Sequence, residues 1–383
     1  MIPFNKPYIT GKEIGYITDA VNTGKISGNG KYTRLAQTFF EQKYGIKKAL
    51  LTTSCTDALE MCALLLEIQP GDEVIMPSYT FVSTANAFML RGAKIVFTDS
   101  RIDHPGMDED TVESLITQKT KAIVVVHYAG VACDMDRIME LADRYGITVV
   151  EDAAHSINSF YSSKKGTRTP LGSIGHLATF SFHETKNISS GEGGLLAIND
   201  ERYAYRAEII WEKGTNRASF FRGEVNKYGW VDLGSSFLPS EVTAAFLWAQ
   251  LEQLDDIQSK RIQIWERYYR HLSGKVEKFG IRLPSIPDFA MNNGHMFYLI
   301  ASDDNQRDYL LQSLKKAGIL AVFHYLSLHK SDFFCHKHDG RELAAADLYT
   351  DNLVRLPLYY ELTEDQQTEV IGHVLRALEL VNA

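Results

Sequence analysis

The chain has 383 residues, is 45% hydrophobic and 23% charged, and carries a formal net charge of −8. This is the composition of a globular protein with core enough for two or three domains, and it leaves no basic stripe to release counterions from a nucleic acid. No apolar run approaches the roughly 18 residues of a spanning helix; Met1 to Lys12 lacks a charged-then-apolar leader pattern, and Cys55, Cys62, Cys133 and Cys335 form no C-x-x-C, so free thiols in the cytoplasm are expected.

Along the chain, short apolar runs alternate with helical patterns. Lys48–Thr52 predicts a strand and Thr56–Glu67 a helix. Glu73–Met76 predicts a strand, followed by Pro77 and a helix from about Ser83 to Arg91. Ala93–Phe97 and Ala122–His127 predict strands, Asp134–Arg144 a helix, and Ile147–Glu151 a strand. Leu177–Phe182 and Leu195–Ile198 are two more buried runs. Such alternation implies an α/β fold with a mostly parallel sheet covered on both faces. Ligands of such sheets sit beyond the carboxyl ends of the strands. A second pattern begins near residue 235. Ser240–Arg270 predicts one long helix, with Ala244, Leu247, Trp248, Leu251 and Leu254 at helical spacing. Leu283–Asp288 is a connector. Beyond it, strands (Phe297–Ile300, Leu320–His324) mix with helices (Gln306–Ala317, Glu364–Val381). The expected division is a large domain over 1–250 and a smaller α/β domain over 251–383.

Three strand ends carry chemistry. Lys48–Thr52 runs into Thr53-Ser54-Cys55-Thr56-Asp57. Small hydroxyl residues at a helix start leave backbone amides facing outward, either as an ordinary N-cap or as a phosphate cradle. Ile147–Glu151 ends in Glu151-Asp152-Ala153-Ala154-His155. Asp152 can cap the next turn, or pair with a ring nitrogen and keep it protonated. Leu177–Phe182 leads to His183-Glu184-Thr185-Lys186-Asn187 and Gly191-Glu192-Gly193-Gly194. Lys186 is either a solvated loop lysine or a buried amine whose charge a Schiff base with a cofactor aldehyde removes. His183-Glu184 lacks the zincin spacing, and the glycines lack the dinucleotide pattern. In order, the three ends supply what pyridoxal 5′-phosphate (PLP) needs: a phosphate site, a ring-nitrogen partner and an amine. Phe81, after Pro77-Ser78-Tyr79-Thr80, is either core packing or a ring to stack on the cofactor. Cys335-His336-Lys337-His338 is the only run with several potential metal ligands, and no metal site is assigned.

These strings resemble the sugar-nucleotide aminotransferases of the DegT/DnrJ/EryC1/StrS family. The likeness runs from Ile2-Pro3-Phe4 to Leu356-Pro357-Leu358 and is densest at Glu151–His155, Ser181–Asn187 and Gly191–Gly194. Gln69–Phe81, His127–Cys133, Lys213–Arg217, His295–Tyr298 and Val322–Tyr325 add to it. The resemblance implies the fold type I (aspartate aminotransferase-like) architecture and PLP as cofactor. It implies a dTDP-keto-deoxy sugar as acceptor, L-glutamate as donor, and a homodimer with shared active sites.

The resemblance also implies roles. Lys186 is the catalytic lysine that bonds the cofactor and shuttles the proton; a relative with His there is a dehydratase instead. Asp152 pairs with the pyridine nitrogen, Phe81 stacks on the ring, and His155 sits near its hydroxyl. Cys55, Thr56 and Ser181 hold the phosphate. Ser236 and Leu238 stand where many members carry Asn and Arg in an Asn-x-Arg-Met string, so Ser236 is the shorter donor to the neighbouring subunit's phosphate. Lys25, Gly28, His183, Arg222, His324 and Tyr325 are the candidates to face the nucleotide sugar; solvated loops or core packing are the competing readings for them. The rival readings are another enzyme on this fold, a C3 rather than C4 aminotransferase included, and a non-catalytic protein binding PLP and a sugar nucleotide.

Overall fold

Strands form where short apolar runs can be buried on both faces. The computed structural model describes residues 1–381. Its strands are β1 (Lys48–Thr52), β2 (Glu73–Pro77), β3 (Lys94–Thr98), β4 (Thr120–Val126), β5 (Thr148–Asp152), the short pair β6 (Phe160–Ser162) and β7 (Arg168–Pro170), then β8 (Leu177–Ser181) and β9 (Gly194–Ile198). One seven-stranded sheet has the order β1-β9-β8-β5-β4-β2-β3. Neighbours from β8 to β3 pair in parallel, whereas β9 is antiparallel to both β8 and β1. Six strands therefore run one way, and their carboxyl ends share one edge. The mostly parallel sheet expected from the sequence is present, with β9 as the reversed strand.

Period-2 alternation along each strand divides the core. Leu50, Val74, Met76, Val124, Val150 and Leu196 face one side. There they pack on the helices α3 (Cys55–Leu65), α4 (Val82–Met89) and α7 (Ala204–Trp211). Leu51, Ile75, Ile123, Val125, Val149 and Ala197 face the other side. That side is covered by α1 (Glu13–Asn22), α2 (Lys31–Tyr44), α5 (Glu109–Leu115), α6 (Met135–Tyr145) and α9 (Glu241–Leu251). A short helix, α8 (Arg217–Phe221), lies before α9.

The single long helix expected over Ser240–Arg270 is two helices, α9 and α10 (Leu254–Leu272), broken at Glu252 and Gln253. Burial explains the break. α9 and the start of α10 (Leu254, Ile257) lie in the core of the large sheet. Ile264, Tyr268 and Leu272 lie in a second core, so the chain is redirected between them. That second core is built on the antiparallel pair β11 (Phe297–Ile300) and β12 (Leu353–Leu356), with α11 (Asp304–Lys316) and α13 (Glu364–Val381). A two-residue strand β10 (Ala290–Met291) joins β6, and α12 (Ala344–Asn352) precedes β12. Ile2, from the far end of the chain, also lies in the second core, and its backbone bonds Gly318 and Leu320. Leu320–His324, expected as a strand, makes only one isolated bridge among the described residues, Val322 to Arg355. The residues from Ala321 to Leu326 are half-buried or exposed, and Tyr325 has φ +47°. Having no second partner strand, the segment turns toward a cavity at the large sheet.

Candidate active site

The cavity opens where the strands end, with a volume of about 420 Å³. At the end of β1, Ser54 caps α3, its Oγ accepting from Asp57 N at 3.0 Å. The amides of Cys55 and Thr56 have no acceptor among the described residues. They are first-turn donors at the positive end of the helix dipole, as an anion site requires. Gly194, at the start of β9, makes this turn possible: a Cβ there would lie 2.4 Å from both Cys55 N and Ser54 O. Thr56 and α4 are tied by a 2.8 Å bond from Thr56 Oγ1 to Ser83 Oγ.

Asp152 closes β5 and is buried. Thr84 Oγ1 donates to its Oδ2 at 2.8 Å, and Ala154 N donates to Oδ1 at 3.2 Å. Burial pushes the carboxyl pKa up; these bonds and the nearby Lys186 oppose the rise. Behind it, His127 Nε2 and Glu151 Oε2 form a fully buried pair at 2.9 Å. Glu151 also accepts amides from Gly172, Ile174 and Gly175 at 2.6–2.7 Å.

Lys186 sits on the β8–β9 loop, half-buried against the cavity. The next residue anchors it. Asn187 donates to Gln258 Oε1 at 2.8 Å and to Asn293 O at 3.1 Å, and meets His295 Nδ1 at 2.8 Å. Burial, aided by Arg355 and opposed by Cys55 and Asp152, brings the Lys186 amine down to about 8. His295 stacks on His155 with ring centroids 4.3 Å apart. His155 Nδ1 accepts from Ala129 N at 3.3 Å, and burial holds the ring neutral. Its Nε2 therefore carries the hydrogen, 3.3 Å from Tyr325 Oη. His324 stacks on Tyr325 at 3.6 Å, and its Nδ1 meets Tyr128 Oη at 2.7 Å.

Ten of the residues singled out from the sequence line this cavity: Cys55, Thr56, Phe81, Asp152, His155, Ser181, His183, Lys186, His324 and Tyr325. Four do not. Ser236 is exposed, although Phe237 O beside it accepts from Thr53 N at 3.0 Å. Lys25 is exposed and donates to Asn29 O at 3.0 Å. Gly28 packs on Leu238 and Pro239, with no room for a Cβ. Arg222 is exposed and pairs with Glu208 and Glu224. Residues that the sequence reading did not single out also matter here. Thr84 holds Asp152, Glu192 lines the mouth 3.7 Å from His183, and Arg355 bears on Lys186. Only Glu192, within the Gly-Glu-Gly-Gly string, stood in a motif that marked its place.

The family model described as the DegT/DnrJ/EryC1/StrS aminotransferase family matches residues 7–375. The aminotransferase TlmJ of Streptoalloteichus hindustanus is 27% identical over 100% of both chains, with a TM-score of 0.90. DesV of S. venezuelae, solved in complex with a ketimine intermediate, is 28% identical over 99% of this chain and 98% of its own, with a TM-score of 0.88. Spr1654 of Streptococcus pneumoniae, solved in a PLP form, is 26% identical over 99% of both chains, also with a TM-score of 0.88.

Proposed function

This chain belongs to the DegT/DnrJ/EryC1/StrS aminotransferase family and is a PLP-dependent sugar aminotransferase; from that premise we propose that it moves the amino group of L-glutamate to C4 of dTDP-4-keto-6-deoxy-D-glucose, giving dTDP-4-amino-4,6-dideoxy-D-galactose and 2-oxoglutarate. The observation that carries the reading is one cavity in which Lys186, Asp152 and the free amides of α3 converge. The donor set fits the cofactor: an anion site, a buried carboxylate and an amine, each at the end of a different strand. The substrate is supported by the long strings Gln69–Phe81, His127–Cys133 and Ser181–Asn187.

Bound there, PLP supplies an aldehyde to carry the amino group and a ring to take up electrons as the Cα–H bond breaks. The amides of Cys55 and Thr56, with Ser181, hold the phosphate. Asp152 would pair with the ring nitrogen, and the hydrogen bond from Thr84 opposes the upward push of burial on its carboxyl. Phe81, 55% exposed and lining the cavity, would stack on the ring. His155 donates from Nε2 toward the ring hydroxyl. Lys186, with a pKa near 8, is partly neutral at physiological pH and takes the α-proton from the donor. It returns a proton to the sugar carbon in the second half-reaction, so ping-pong kinetics follow. His183, His324 and Tyr325 face the sugar.

We also propose a homodimer. Ser236, Lys25 and Arg222 lie off their own chain's cavity, on a surface where Trp230 is 81% exposed and Tyr228, Val231 and Phe221 are exposed beside it. A second copy on that surface would bring Ser236 to its phosphate, and Lys25, Gly28 and Arg222 to its nucleotide sugar. Light scattering checks the stoichiometry. The proposed division near residue 250 lies just before the passage from the cluster holding Leu254 and Ile257 to the one holding Ile264, although Tyr298 and Tyr349 from beyond it pack with the large sheet.

The test is NMR of the product formed from dTDP-4-keto-6-deoxyglucose, L-glutamate, PLP and the protein. Nitrogen on C4 with a small H3–H4 coupling is the expected result. A large coupling means the gluco epimer, and nitrogen on C3 moves the reaction to a 3-keto sugar; either overturns the substrate assignment while keeping the family.

A further inference from the structure

We propose that His329 is a positioning residue for the sugar half-reaction: between Ser78 and Asp347, it locks the loop that carries Phe81 to the segment that carries His324 and Tyr325. The proposal rests on the aminotransferase reading above and adds to it what holds the sugar-facing wall of the cavity in shape.

That wall needs holding. Ser78 to Phe81 join β2 to α4, and Thr80 and Phe81 line the cavity. His324 and Tyr325 line it too, from a segment with one isolated bridge among the described residues. Tyr325 sits at φ +47°, in the left-handed region that a bulky residue rarely adopts. Its neighbours must therefore hold it there. The rings of Phe81 and Tyr325 meet with centroids 6.1 Å apart, so the place of one limits the place of the other.

Bonds fasten loop and segment at both ends. Tyr79 Oη donates to His324 O, and Leu328 N donates to Ser78 O at 3.0 Å. His329 adds a side-chain link in the interior. Its N donates to Ser78 Oγ at 3.2 Å, and the same Oγ lies 2.8 Å from His329 Nδ1. On the far side of the ring, Nε2 is 3.5 Å from Asp347 Oδ1, a buried oxygen with no hydrogen-bond partner among the described residues. An ionised carboxylate only accepts, so Nε2 carries the hydrogen and Nδ1 is left to accept from the Ser78 hydroxyl. Asp347 stands on a fixed mount. Asp99 accepts from Ala345 N and Ala346 N of α12 at 3.1 and 2.8 Å, and Tyr349 Oη donates to Arg101 O at 2.7 Å. The order serine, histidine, aspartate makes no nucleophile here, because Ser78 is wholly buried and no substrate reaches it.

The link depends on the charge of the ring. Burial lowers the His329 pKa; His338 and Lys330 act the same way, Asp347 and Asp99 oppose them, and Arg341 and Glu342 line the recess beside the ring. The ring is therefore neutral at physiological pH. Once protonated, Nδ1 no longer accepts, and the Ser78 hydroxyl hydrogen is left buried without a partner.

The test compares the wild type with His329→Leu, which fills the site but cannot accept, and with His329→Asn, whose amide oxygen stands in for Nδ1 and does not titrate. First, amide exchange is followed in the cofactor-free proteins. In His329→Leu, exchange at Thr80–Val82 and His324–Leu326 is expected to be about tenfold faster, the loss of one buried hydrogen bond, with the second core unchanged. His329→Asn should stay close to wild type. Second, in the PLP-loaded proteins, the absorbance change on adding L-glutamate is followed separately from that on adding keto sugar to the aminated cofactor. His329→Leu should raise half-saturating keto sugar about tenfold and leave the glutamate dependence unchanged, and His329→Asn should restore it. Ser78→Ala should match His329→Leu, and the double substitution should be no worse than either. Below about pH 6.5 the wild-type value should climb relative to that of His329→Asn. Unchanged local exchange, faster exchange throughout the chain, an equal loss in both half-reactions, or no rescue by His329→Asn overturns the proposal. If wild type deaminates L-glutamate but aminates no dTDP-keto sugar, the substrate assignment fails, while the exchange pattern and its rescue still decide on His329.

Discussion

Capture of PLP by the cofactor-free protein is expected to depend on pH in the way set by a lysine whose pKa is lowered by desolvation and by Arg355. Attack on the aldehyde requires neutral Lys186. With the amine at about 8, about 9% is neutral at pH 7, against about 0.03% for a lysine at 10.5, an advantage of about 300-fold. The rate of PLP capture, read by stopped-flow absorbance, should rise nearly tenfold per pH unit below 8 and level off above it. Asp152→Asn separates this from chemistry. The Asp152 carboxylate holds the Lys186 value up against burial, so removing it moves the bend below 8 and leaves capture at pH 7 intact or faster. The same substitution removes the partner of the ring nitrogen, and turnover should fall by at least about 100-fold. A bend near 10, or a bend that rises in Asp152→Asn, would refute the placement of Lys186 in a desolvated site facing Asp152.

Three other substitutions probe the supports of the site. Thr84→Val removes the 2.8 Å bond to Asp152 Oδ2, so burial raises the carboxyl further; the acid limb of the kcat/KM profile should move up by about one pH unit, and an unmoved limb would argue against the contact. His127→Phe leaves Glu151 buried with its amide donors but without the imidazole's hydrogen bond. Urea denaturation should show a loss of about 1–3 kcal/mol, and a loss below about 0.5 would mean the pair is structurally idle. Burial raises the Glu151 pKa, but His127 and the amides outweigh it and hold the group low. The stability it contributes is therefore full above the ordinary carboxylate range and is lost as pH falls through its lowered value. Gly194→Ala pushes a methyl group to 2.4 Å from Cys55 N; PLP affinity, measured by fluorescence quenching, should weaken at least about tenfold, and unchanged affinity would remove the phosphate site from the α3 start.

The alternation of apolar runs and helical patterns determined the sheet, because strand burial is written locally in each run. It also placed Asp152 and Lys186, since a strand-end residue of an α/β sheet is on the ligand side whichever strand pairs with which. Periodicity failed where a pattern continues across a change of core. Ser240–Arg270 keeps its helical spacing through Glu252 and Gln253, and only the existence of two cores requires the break. Leu320–His324 has strand composition but no second strand beside it, so it serves the cavity instead. The tertiary structure alone decided that Thr84, 68 positions from Asp152, is its hydrogen-bond donor. It alone decided that Arg355, far along the chain, comes within electrostatic reach of Lys186, with no acceptor for its Nε among the described residues. A residue's own chemistry and its local period are properties of the chain. The partner it meets depends on the packing of distant segments, which no local pattern encodes.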